Sequence, residues 1–92
     1  MTKVVNLYKD KYDIYIGRAG KNSDGYFGNP FSVELYGRAG CLSKFRDYFN
    51  NRIDADPEYK RRISELKDKI LGCFCVPNKC HGHIYAEYLD RI

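Results

Sequence analysis

The alternation of apolar and polar positions divides the chain into six candidate elements. Thr2 to Leu7 (TKVVNL) is a short β-rich run, and Tyr12 to Ile16 (YDIYI) alternates as a half-buried strand does. Lys9-Asp10-Lys11 reads as a turn between them, so the two strands are expected either to form a hairpin or to lie near each other in a sheet. From Gly17 to Pro30 the chain reads GRAGKNSDGYFGNP, a composition that predicts a long surface loop, with the Tyr26-Phe27 pair packing part of it down. Phe31 to Tyr36 fits a short strand and a helical turn equally well. After Gly37, the positions Leu42, Phe45, Phe49 and Ile53, with Cys41 and Tyr48 beside them, recur at helical spacing to about Arg52.

Asp56-Pro57-Glu58 has the chemistry of a helix start: an N-cap acid, a proline at the first helical position and an acid in the first turn. Tyr59, Ile63, Leu66 and Ile70 would line one face of that helix, with Asp68-Lys69 at its end. Ile70 to Val76 is an apolar strand stopped by Pro77 and Asn78, and a last helix runs from about Cys80 to Arg91 with Ile84, Tyr85, Tyr88 and Leu89 inward. The order β, β, long loop, α, α, β, α predicts a small single-domain α/β sandwich of Rossmann-like type. Its short, mostly parallel sheet would be flanked by about three helices, over residues 1–92 with no separate linker or tail.

Composition narrows the setting. Ninety-two residues support one core. No apolar run approaches membrane-spanning length and no signal peptide precedes Lys9, so the expected place is the cytoplasm, away from membranes. In that compartment four cysteines point to reduced thiols, catalysis or metal binding before disulfides. The net charge of +4 is spread along the chain. Its one cluster, Lys60-Arg61-Arg62, is matched by Glu58, Glu65 and Asp68 at helical spacings, which favours an ion-paired helix face over a nucleic-acid surface. A positive balance still suits a small anionic ligand.

Chemistry concentrates in Ile70 to His83, ILGCFCVPNKCHGH, which holds three of the four cysteines and both histidines. The strand period puts Cys73 and Cys75 on one face. Cys80 and His81 follow in the first turn of a helix, where unpaired N–H groups and the helix dipole favour negative charge and help a thiol to ionise. Three chemistries fit. Cys73, Cys75, Cys80 and His81 have the number and type of a tetrahedral zinc site, although the familiar CxxC spacing is missing. Cys80 could serve as a nucleophile with His81 or His83 as acid or base, making a cysteine-dependent hydrolase or transferase. Alternatively, thiols and imidazole are walls of a binding pocket at a βα corner. Gly17-Arg18 after the second strand, Asn29-Pro30 in the loop and Arg38 at a helix start would then contribute. Plainer readings are core packing for Cys41 and Cys73 and turn chemistry for Asn29. Tyr15 or Tyr26 could stack on a ring.

The segments VVNLYKDKYDIYIGR, FGNPF, YGRAGCLSKFRDYF and ELKDKILGCFCVPNKCHGHIYAEYL together resemble a family of small bacterial and phage proteins of unknown function, DUF4326. Its pattern is a V-N-L opening, an I-G-R, a G-N-P-F box and a closing C-x-C-x-P-x-x-C-H-G. The resemblance implies that Gly17, Arg18, Gly28, Asn29, Pro30, Cys73, Cys75, Cys80, His81 and Gly82 belong to the defining set. The leading expectation is a pocket built from Gly17, Arg18, Asn29, Pro30, Arg38, Cys75, Cys80 and His81 that binds a nucleotide or nucleoside derivative. In a phage setting it would act on a host signalling nucleotide. A cysteine-dependent enzyme and a zinc-stapled interaction module are the alternatives, and the tyrosine content makes a homo-oligomer a further expectation.

Overall fold

The chain runs in order through β1 (Lys3–Asn6), β2 (Ile14–Tyr15), α1 (Val33–Ala55), α2 (Pro57–Ser64), β3 (Ile70–Cys73) and α3 (His81–Leu89). The computed structural model describes residues 1–17, 25–74, 76 and 80–92. β3 lies between β1 and β2 and is parallel to both, with Val4 opposite Leu71 and Tyr15 opposite Gly72. The first two strands therefore do not form a hairpin. The Lys9-Asp10 turn is real, since both N–H groups donate to the Asn6 carbonyl. It feeds a return segment that crosses β3 instead of pairing back: the Tyr12 ring lies over Gly72, and Asp13 exchanges bonds with Ile70 through its N–H (2.7 Å) and carboxylate (2.9 Å).

The strand period assigns the two faces of the sheet. Leu71 and Cys73 face the helices and join one buried cluster with Ile16, Phe45, Phe49, Tyr59, Ile63, Tyr85 and Leu89, against which Val4 and Ile14 also pack. All three helices thus contribute to a single core, giving the small α/β domain that the element order predicts. α3 approaches the sheet closely through Gly82. A Cβ there would stand 2.6 Å from Ile16 Cδ1 and 2.9 Å from Val4 Cγ1.

Helix boundaries follow local chemistry. The ambiguous stretch before Gly37 is helical: Ser32 Oγ caps it by accepting the Glu34 N–H at 3.1 Å. Gly37, at φ 70° and ψ 167°, then breaks α1 into a first turn and a long second segment that opens at Arg38. Asp56 caps α2, accepting the Tyr59 N–H at 3.1 Å, and that bond is the main reason its carboxyl sits below the ordinary carboxylate range. α2 is shorter than the apolar spacing suggests. It ends at Ser64, leaving buried Leu66 in the turns that follow and Ile70 in β3. Asp68 adopts a left-handed φ of 63° between them. β3 in turn ends at Cys73, and the last helix begins at His81 with Cys80 as its extended N-cap. Among the described residues no helix is long and apolar enough to cross a membrane.

Candidate functional site

β3 stops at the carboxyl end of the parallel sheet, and α3 is the next element. A cleft of about 270 Å3 opens there. Its walls come from five separated segments: Gly17 after β2, Asn29 from the loop, Val33, Arg38, Cys41 and Leu42 from α1, Cys73 at the end of β3 with Phe74 just beyond it, and Cys80 and His81 from the start of α3. The break at Gly37 is what allows α1 to supply both Val33 and Arg38, one from each helical segment. Arg38, Cys41 and Leu42 then share a helix face at i, i+3 and i+4.

His81 is 7% exposed, set edge-on to Phe45 (5.3 Å) and Tyr85 (5.6 Å). Its Nε2 lies 2.6 Å from the Ile16 carbonyl. A carbonyl only accepts, so Nε2 carries the proton, and any role for this ring as base or ligand falls to Nδ1. His83 is exposed and accepts the Cys80 backbone N–H on its own Nδ1 at 3.0 Å, closing one of the donors left open at a helix start. Neither contact directs these nitrogens to the Cys80 sulfur. That sulfur lies 3.0 Å from Cys73 Sγ instead.

The loop wall is held by a closed circuit. The Phe31 N–H donates to Asn29 Oδ1 (2.8 Å), Asn29 Nδ2 donates to Cys41 Sγ (3.1 Å), and Cys41 Sγ donates to the Phe31 carbonyl (3.2 Å). The first of these bonds, side chain to backbone two residues on, is the asparagine turn chemistry expected of this position. Asn29 thereby lines the cleft while tying the G-N-P-F box to α1. Replacing it with alanine is expected to cost about 1–3 kcal/mol, the price of leaving the Phe31 N–H and the Cys41 thiol without this partner. Urea denaturation checks this, and an unchanged midpoint would mean that the circuit does not hold the loop.

Behind the loop, the expected inward packing of Tyr26 and Phe27 is present. The Arg62 guanidinium sits 3.7 Å from the Tyr26 ring centre, and Tyr85 Oη donates to the Phe27 carbonyl at 2.8 Å. Burial pushes the Tyr59 hydroxyl up to about 12 and Tyr85, 3.4 Å away, well above the usual tyrosine range. Both therefore stay protonated at neutral pH, and Tyr85 remains a donor to the loop.

Of the residues singled out by sequence, Gly17, Asn29, Arg38, Cys80 and His81 come together in the cleft, with Cys73. Pro30 does not line it. It borders a shallower, open depression with Gly28, Tyr48 and Arg52. Arg18 and Cys75 lie outside the described residues, so of the four zinc candidates only Cys73, Cys80 and His81 are described. Among the described residues no group of three or more His, Cys, Asp or Glu is placed to hold a metal ion. Cys41, assigned to core packing from the sequence, is buried and lines the cleft as well. Val33, Leu42 and Phe74 were overlooked, and the i, i+4 spacing of Leu42 from Arg38 was the signal for one of them.

A family model described as Domain of unknown function (DUF4326) matches residues 2–91. An uncharacterized 12.4 kDa protein in the nrdA-td intergenic region of Enterobacteria phage T4 is 30% identical over 92 residues, covering 100% of this chain and 81% of that protein. No solved structure matches.

Proposed function

Because the chain belongs to the family described as Domain of unknown function (DUF4326), whose description assigns no chemistry, we propose a function from the cleft itself: it binds a small anionic ligand, a nucleotide or nucleoside derivative. The observation that carries this reading is the convergence of five chain segments on one cleft that has apolar walls and Arg38 in its lining. Leu42, Val33 and Phe74 suit a flat ring, and a guanidinium suits a phosphate or carboxylate. Taken as a Rossmann-like sheet, the carboxyl ends of β2 and β3 are where ligands collect. The start of α3 adds a positive helix terminus. Of the two imidazoles, His83 Nδ1 takes a backbone N–H and His81 Nε2 faces the Ile16 carbonyl, so nucleophilic catalysis by Cys80 would need His81 Nδ1 as its base. The likeness to a phage T4 protein supports a phage setting, in which the ligand is a host signalling nucleotide and the place of action the host cytoplasm.

Calorimetric titration with nucleoside 5′-monophosphates and 5′-diphosphates, beside the neutral nucleosides, tests the proposal. Phosphorylated compounds are expected to bind and neutral ones to bind more weakly. Arg38→Ala should weaken the phosphorylated ligand by about tenfold, the equivalent of one charge-assisted contact near 1.4 kcal/mol. No binding at millimolar concentration, or an Arg38→Ala variant that binds as tightly as the parent, would overturn it. Native mass spectrometry of the same preparation separates the zinc alternative. One zinc atom lost on denaturation would assign Cys73, Cys75, Cys80 and His81 to a metal.

A further inference from the structure

Cys73 closes β3 and Cys80 caps α3; both residues line the cleft, and their sulfurs lie 3.0 Å apart. That separation is well beyond the ~2.05 Å of a disulfide bond, so these are two thiols in contact, about 1 Å from bonding distance. We propose that Cys73 and Cys80 form a reversible redox pair, a modification site that closes to a disulfide under a peroxide oxidant and reopens under thiol reductants. The inference is independent of the ligand reading.

Three observations support it. Both residues line the cleft although each is almost fully buried, so the cleft is the route by which a molecule the size of hydrogen peroxide would approach them. Cys80 stands at the start of α3, where the helix dipole favours a thiolate, which makes it the attacking sulfur and Cys73 the resolving one. Cys41, in the same wall, is held between the Asn29 amide and the Phe31 carbonyl.

The chemistry balances. The Cys80 thiolate attacks one peroxide oxygen, the O–O bond breaks, and water leaves a sulfenic acid on Cys80. The Cys73 thiol then attacks that sulfur, forming the S–S bond and releasing a second water. Two electrons pass from the sulfurs to the peroxide, and the two thiol protons end in water. Reduction by a dithiol reverses the exchange. Closure ties the end of the central strand to the first turn of α3.

The reduced, full-length protein is treated with equimolar hydrogen peroxide, alkylated, and analysed intact and after digestion. The expected result is a loss of ~2 Da, two hydrogens, with a Cys73–Cys80 cross-linked peptide that dithiothreitol abolishes. Cys41→Ser and Cys75→Ser should leave the cross-link in place, whereas Cys73→Ser and Cys80→Ser should each remove it and accumulate oxygen on the remaining thiol. A cross-link through Cys75 or Cys41, or alkylation of both Cys73 and Cys80 after peroxide, would overturn the proposal. If a serine variant does not fold, the peptide map of the parent protein decides alone.

Discussion

Truncation of Phe45 to alanine should destabilise the protein by about 4 kcal/mol, the upper part of the range for a buried aromatic ring. Phe45 is fully buried and lies within ring-contact distance of Tyr48, Phe49, His81 and Tyr85, so its removal opens a cavity where α1 meets α3. Domains of this size have roughly 5–10 kcal/mol in total, and the alanine variant should be close to unfolding at 37 °C. Phe45→Leu fills most of the volume and should recover more than half of the loss. Guanidinium titrations of the three proteins measure both steps. A loss below about 1 kcal/mol for the alanine variant would show that the core is not centred on this ring.

His81→Ala is expected to cost about 3 kcal/mol, through two separable effects. The Ile16 carbonyl loses the Nε2–H that satisfies it at 2.6 Å, and Phe45 and Tyr85 lose an aromatic neighbour. His81→Phe separates them, because it restores a ring of similar size while leaving the carbonyl unsatisfied. It should recover about half. If the cleft binds the proposed phosphorylated ligand, both variants should also weaken that binding, since His81 lines the cleft. Stability unchanged in His81→Phe would mean that the hydrogen bond to Ile16 contributes little, and that the ring acts by packing alone.

Both predictions rest on a core that the sequence largely displays. Phe45 and Phe49 on α1, Tyr59 and Ile63 on α2, and Tyr85 and Leu89 on α3 recur at the spacing of a helix face, and a helix has few ways to bury such a stripe. The Asp56-Pro57 start is equally readable, because the cap and the fixed proline φ act within one turn. The end of α2 was not. Leu66 and Ile70 continue the helical period in sequence, yet Leu66 is buried from a turn and Ile70 sits half-buried at the start of a strand, so periodicity alone could not place the boundary.

The sequence by itself determined what is local: the apolar stripes, the Asp56 helix start, the family, and the concentration of thiols and imidazoles between the last strand and the last helix. Only the tertiary structure decided what is joined across the chain. β3 inserts between β1 and β2, and no property of either short strand specifies that partner, since pairing direction depends on a segment more than fifty residues away. Tertiary packing likewise brings Ile16 to His81 and sets Cys73 beside Cys80. Spacing in sequence states which side chains a segment carries and on which face. Which of them share a cleft is set by how three helices cover one face of a parallel sheet.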